Sequence, residues 1–313
     1  MLIASAKKIS AAWREERARG HLVENVQKTV LRAQAKPETY VPYDKRKLSY
    51  ATTFTDPKKI LTIRAMEWMT GKITLLRRIR AFERSGVQDG LPFFRDAVQQ
   101  MGIDLLTPRE QIDLIPSDGP LIVVANHPHG MTDGLVMADL IGRKRDDFLV
   151  LTRSLISGVK EIKQFMLPVP FPHEEDSFNE SLKMRKTAMD RLKDGGCIIL
   201  FPAGEVAHSK TWFGPAEESS WNPFTAKMIQ RSGAKVLPIY FPGQNTRLYQ
   251  MANLVSATLR QGLLLHEVVH TLDKPQAPVI GKPLTQEEMK PHMANATEFM
   301  AWLRQHTMDL GKS

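Results

Sequence analysis

Apolar positions along this chain follow two different rhythms, and the change falls near residue 119. Before it they recur with a helical period. Within 58–84, Leu75, Leu76, Ile79 and Phe82 share one face, while Arg77, Arg78, Arg80 and Arg84 fall largely elsewhere. That is an amphipathic basic helix, and Gly71 inside the run is a point at which it splits in two. A further helix is predicted over 92–101, and 10–36 is compatible with helix. Pro37, Pro42 and Pro57 punctuate a polar, extended stretch. After residue 119, apolar runs of strand length appear at 120–125, 148–152, 197–201, 236–241 and 277–280. Helical segments at 134–141, 180–193, 224–231 and 248–265 separate them, and a last helix covers 285–308.

Strands alternating with helices predict an α/β fold: a mostly parallel sheet flanked by helices, preceded by an N-terminal helical basic extension. The expected division is an extension at 1–57, amphipathic helices at 58–110 leading into the domain, and the α/β domain at 111–313. In such a sheet the ligand site lies beyond the carboxyl ends of the strands. His127 follows the first predicted strand, and Phe201-Pro202-Ala203-Gly204-Glu205 follows the third.

Charge sharpens the picture. Residues 1–100 carry 20 Lys and Arg against 10 Asp and Glu, whereas the other 213 residues carry 23 against 24. The basic character therefore belongs to the N-terminal third. No zinc-finger spacing or basic-aromatic interleaving supports nucleic acid, so an anionic membrane surface is the better partner for it. The alternative is a helix packed on the domain with its arginines in water. A single cysteine, Cys197, excludes an internal disulfide and a multi-cysteine zinc site, and points to a reducing compartment. Neither a secretory leader nor an apolar run of about 18 residues is found, so no transmembrane helix is expected.

The densest chemistry lies in Asn126-His127-Pro128-His129-Gly130-Met131-Thr132-Asp133. An imidazole beside an orienting carboxylate is the minimum equipment for taking a proton from a hydroxyl. On an ideal helix His127 and Asp133 would lie about 120° apart, whereas His129 and Asp133 would share a face. Either His129 is the partner of Asp133, or the segment at His127 is not helical. Pro128 and Gly130 favour the second, because both suit a loop or a first helical turn. Asp133 would then fix the imidazole tautomer. Two other readings stand beside this one: loop histidines with satisfied hydrogen bonds, and a metal-dependent hydrolase built on His127, His129 and Asp133.

The two blocks together resemble the glycerolipid acyltransferase superfamily, which includes 1-acylglycerol-3-phosphate acyltransferases. That family carries N-H-x4-D and F-P-E-G-T-R-S. Here the first block is Asn126-His127 with Asp133 one residue further on. The second is Phe201-Pro202-Ala203-Gly204-Glu205-Val206-Ala207-His208-Ser209, with its Glu displaced and no Arg. Both departures are similar to a bacterial branch labelled hemolysin-like or lyso-ornithine-lipid acyltransferases. Trp68-Met69-Thr70-Gly71, Trp221-Asn222-Pro223, Gly243-Gln244-Asn245-Thr246-Arg247 and Leu259-Arg260-Gln261-Gly262 extend the likeness over roughly 60–285.

The resemblance implies an O-acyltransferase of lipid biosynthesis, with no cofactor beyond its co-substrate. An acyl group would move from acyl-CoA or acyl carrier protein to a hydroxyl of a lyso-lipid or glycerol-phosphate-type acceptor. His127 would act as general base, oriented by Asp133. Asn126 would brace the turn. Amides near Gly130 or Gly204 would hold the oxyanion. Phe201, Pro202, Gly204 and Glu205 would meet the acceptor head. With the family Arg missing, Arg153, Lys210 and Arg185 are the candidate cations. The protein would sit peripherally on the inner, cytoplasmic face of a membrane, partnered by acyl donor, lyso-lipid and anionic surface. A non-catalytic lipid-binding protein on the same fold is the third reading. Cys197, in an apolar strand pattern without a neighbouring base, reads as core rather than nucleophile.

Overall fold

A computed structural model describes residues 43–152, 159–170 and 176–312. The predicted helix at 10–36, most of the basic extension, Arg153 and His173 lie outside the described residues.

Six strands form one sheet: β1 Leu121–Ala125, β2 Phe148–Thr152, β3 Met166–Pro168, β4 Cys197–Leu200, β5 Lys235–Tyr240 and β6 Val279–Ile280. Their order is β3-β2-β4-β1-β5-β6, parallel throughout except for the last pair. β1 therefore lies between β4 and β5, pairing Val123 with Ile199 on one side and with Leu237 on the other. The inner strands are continuous apolar runs because both faces of the sheet are covered. Leu121, Val123, Cys197, Ile199, Leu237 and Ile239 face one core cluster, while Ile122, Val124, Ile198, Leu200 and Val236 face the other.

Helices α1 Pro57–Thr70, α2 Lys72–Arg84 and α3 Leu91–Gln100 precede the sheet. α4 Met131–Gly142 follows β1, α5 Ser177–Lys193 precedes β4, and α6 Pro223–Ser232 leads into β5. α4 packs with α3 on the first face of the sheet, and α5, α6 and the C-terminal α10 Ala296–Asp309 cover the second. α6 starts sharply because Asn222 accepts the N–H of Phe224 at 2.8 Å and Pro223 occupies the first helical position.

The expected basic helix at 58–84 is two helices, split at Gly71. Leu75, Leu76 and Ile79 pack against Leu48, Tyr50, Leu265 and Val268, so the apolar face of α2 is turned inward to the protein. The segment 248–265 is not one helix. It breaks into α7 Arg247–Val255, α8 Ala257–Gly262 and α9 Leu264–Thr271. The cause is Ser256, which is extended and accepts the N–H of Thr258 at 3.1 Å. The last predicted helix, 285–308, is likewise a short turn at Gln286–Met289 followed by α10, restarted by Asn295 as cap.

Candidate active site

The carboxyl ends of β4, β1 and β5 lie side by side, and the loops leaving them make the site. Asn126, buried at the end of β1, ties it to β5. Its amide nitrogen donates to the Phe241 carbonyl at 2.8 Å, and its amide oxygen accepts the Phe241 N–H at 2.7 Å. The chain then runs through a non-helical loop, and α4 begins only at Met131. Gly130 is the N-cap at φ +74°, a conformation that a side chain disfavours.

Asp133 faces back into this loop from the first turn of α4 and is 1 % exposed. Its Oδ2 lies 3.0 Å from His127 Nδ1, and its Oδ1 lies 3.1 Å from His129 Nδ1. It also accepts the backbone N–H groups of His129 at 2.8 Å and Gly130 at 3.1 Å. Both histidines that the spacing offered as partners are therefore held by one carboxylate. Burial alone would push Asp133 up, but the hydrogen bonds from His127 and His129 outweigh it and hold it below the usual carboxylate range. Burial pulls His129 down, yet its hydrogen bond to Asp133 and the nearby negative charge leave it raised. The β5 loop closes over this pair: a Cβ on Gly243 would stand 2.9 Å from His129 Nε2.

His127 is held by its ring face, by Nδ1 and by both of its backbone polar groups. Its ring stacks on Phe201, with centroids 3.9 Å apart and planes 21° from parallel. Its carbonyl accepts the Ala207 N–H at 2.8 Å, and its own N–H donates to Glu218 Oε2 at 3.0 Å. Glu218 is 5 % exposed, accepts the Trp221 indole N–H at 3.1 Å, and is pushed up by burial. The second block thus braces the first through Phe201, and Pro202 receives the Asn222 N–H on its carbonyl at 3.0 Å. Glu205 is 40 % exposed; it accepts the Ser219 hydroxyl at 2.7 Å, and Arg260 Nη1 lies 3.5 Å from its Oε2.

Several expectations need correction. The Gly130 N–H is bound by Asp133, and the Gly204 N–H by the Phe201 carbonyl at 3.0 Å, so an oxyanion would fall to amides beside these two glycines rather than to their own. Of the candidate cations, Lys210 pairs with Glu217 at 2.7 Å, and Arg185 sits 4.7 Å from the Phe224 ring centroid on the helix layer. Among the described residues, Arg260 is a further cation beside the second block, at Glu205. For the metal-hydrolase reading, both histidines turn Nδ1 toward the same carboxylate. No group of three or more His, Cys, Asp or Glu suited to a metal occurs among the described residues. Cys197 is a core residue, its thiol pushed up to about 12 by burial. Glu218 and Arg260 were missed as site residues; each reaches the site from a distant stretch of chain.

Beside α4 lies a largely apolar cavity of about 340 Å³, walled by Leu75, Ile79, Phe82, Phe93, Met101 and Met131. Large apolar side chains are exposed elsewhere, among them Leu61, Trp68, Met69 and Ile73 on α1 and α2, Trp212 and Phe213 after the second block, and Leu248, Met251 and Val255 on α7.

A buried carboxylate orienting a histidine at the carboxyl edge of a parallel sheet is what general-base chemistry on a hydroxyl requires. The sequence profile of a family described as Acyltransferase matches residues 93–276. The chain belongs to this family, within the glycerolipid and lysophospholipid acyltransferase superfamily, and is an O-acyltransferase. It is 23 % identical to a lyso-glycine lipid O-acyltransferase of Phocaeicola vulgatus over 61 % of its own length and 72 % of the relative's. It is 24 % identical to a protein of the same description from Bacteroides thetaiotaomicron over 53 % of its own length and 62 % of the relative's. The crystal structure of the 1-acyl-sn-glycerophosphate acyltransferase PlsC from Thermotoga maritima is also similar, with a TM-score of 0.47, 12 % identity and 84 % of each chain covered.

Proposed function

We propose that this enzyme acylates a hydroxyl of a lyso-lipid from a soluble acyl thioester, with His127 as general base. The contact of His127 Nδ1 with Asp133 at 3.0 Å carries the reading, because it fixes the tautomer and leaves Nε2 for the acceptor. The acceptor oxygen attacks the thioester carbonyl carbon as Nε2 takes its proton. The tetrahedral intermediate collapses, the C–S bond breaks, and the departing thiolate takes that proton from the imidazolium. The products are an ester and a free thiol. The apolar cavity beside α4 is suited to an acyl chain, and its methionines adapt to irregular apolar surface. Of the comparisons, the two relatives' descriptions favour a lyso-lipid acceptor with an amino-acid head.

The test is product formation. Purified protein incubated with a panel of lyso-lipids, including amino-acid and phosphate heads, with acyl-CoA and with acyl carrier protein, should give an O-acylated product by mass spectrometry. A folded protein that acylates none of them defeats the reading.

The enzyme would meet its lipid at the inner face of the membrane, held peripherally. No helix among the described residues is long and apolar enough to cross a bilayer. Phe213 is 88 % exposed and Trp212 half-exposed in the loop after the second block, and aromatic side chains of this kind favour the bilayer interface. The basic residues of the N-terminal third add attraction to anionic lipid. Raising salt should weaken binding to anionic vesicles in a flotation assay, since exposed charges are screened over about 10 Å at 0.1 M. Trp212→Ala with Phe213→Ala should weaken it further at every salt concentration. Binding that ignores both changes defeats the peripheral reading.

A further inference from the structure

We propose that Arg260, restrained by Glu205, is the subsite for the anionic group of the acceptor head, and that it selects a carboxylate over a phosphate. The inference rests on the acyl-transfer reading above. The resemblance leaves anion recognition without its usual Arg in the second block, and the structure supplies a guanidinium from a different element. Arg260 lies on α8 and its side chain is 21 % exposed.

The placement is indirect but tight. Consecutive residues 218 and 219 bind the two halves of the site: Glu218 accepts the His127 N–H at 3.0 Å, and the Ser219 hydroxyl donates to Glu205 Oε1 at 2.7 Å. Ala207, two residues after Glu205, donates to the His127 carbonyl at 2.8 Å. Ser219 therefore stands one residue, and Glu205 two residues, from the groups that clamp His127. Among the described residues, Arg260 uses only Nη1, toward Asn253 Oδ1 at 2.9 Å and Glu205 Oε2 at 3.5 Å. Nε and Nη2 remain for a planar anion, which a guanidinium binds through two parallel hydrogen bonds.

Glu205 decides which anion fits. A fixed carboxylate beside the guanidinium leaves the pair neutral. A carboxylate head brings one negative charge, whereas a phosphate monoester brings nearly two, and the second is repelled by Glu205. Glu205 also accepts an ammonium or amide N–H on the head, which an amino-acid head carries and a glycerol phosphate does not.

The test uses the full chain with acyl-CoA and three acceptors of matched chain length: an N-(3-hydroxyacyl)glycine, lysophosphatidate and an uncharged monoacylglycerol. Wild-type enzyme should prefer the carboxylate head. R260Q should raise KM for that acceptor by about 10-fold or more, the loss expected for a hydrogen bond to a charged group, with kcat little changed. R260Q should leave KM for monoacylglycerol unchanged, and R260K, which keeps a point charge, should recover part of the loss. E205Q should shift preference toward lysophosphatidate. Wild-type turnover with an R260Q enzyme whose KM is unchanged, or changed equally for all three acceptors, overturns the subsite alone. So does a wild-type preference for lysophosphatidate. No product from wild type with any acceptor overturns the acyl-transfer reading and the subsite with it.

Discussion

Asp133→Asn is expected to lower kcat by about 10²–10⁴-fold, the range in which a positioned general base operates, and His127→Ala to fall in the same range. An asparagine presents one acceptor and one donor group where the carboxylate accepts from four donors: two ring nitrogens and the N–H groups of His129 and Gly130. Its NH₂ faces a donor, the His127 tautomer is no longer enforced, and the first turn of α4 loses a partner. Each buried donor left unpaired costs about 1–3 kcal/mol, so the melting temperature should fall with the rate.

The pH dependence of stability reports on the same pair. Asp133 is held below its ordinary 3.8, so its contribution is present above that value and is lost as pH falls through the folded pKa. His129 is raised above 6.5, so its contribution is complete below 6.5 and is lost as pH rises through the folded pKa. Asp133 is the source of both. D133N should therefore show a flatter profile of unfolding free energy at both ends, measured by denaturant melts across pH. A D133N enzyme that keeps wild-type kcat removes Asp133 from the chemistry.

The parts of this molecule that were legible in the sequence share a physical property: each is encoded within a few residues. The four longer strands show as apolar runs because parallel strands buried on both faces carry no polar alternation. The strand β3 was missed because it has three residues, lies at the edge and ends in Pro168. Over 248–265 the helical period survives two breaks, so only the capping geometry of Ser256 reveals the first of them. The same holds at the site. His127, His129 and Asp133 lie within seven residues; Pro128 and Gly130 pointed to the loop that holds His127, while the spacing offered the two histidines as alternatives when both bind Asp133. Arg260 lies 55 residues from Glu205 along the chain, and Glu218 lies 91 from His127. Glu217-Glu218-Ser219-Ser220 has the composition of a solvated loop. The one local hint was the neighbouring Trp221-Asn222-Pro223, which marks an ordered helix start rather than a free coil.

Glu218→Gln tests whether that distant carboxylate positions His127 or only fills space. Glu218 takes the His127 N–H on one oxygen and the Trp221 indole N–H on the other. Glutamine can keep the first bond, but its NH₂ then faces the Trp221 N–H, donor against donor. The His127 loop must shift to relieve this, and a shift of about 1 Å in a reacting group costs about 10²-fold in rate. KM should change little. Adding Trp221→Phe removes the opposing donor, so E218Q/W221F should recover part of the kcat lost by E218Q, measured as a double-mutant cycle. Burial raises Glu218 above its ordinary 4.5, against the pull of its two hydrogen bonds. Its stabilising contribution is therefore largest below 4.5 and declines as pH rises through the folded pKa. E218Q has no such titration, so the stability gap between it and wild type should be widest in acid and narrow toward neutral pH. A filler residue would lower the melting temperature in every variant while leaving kcat alone. Loss of kcat with recovery in the double variant makes Glu218 the positioning residue that holds the His127 backbone against the stacking ring of Phe201.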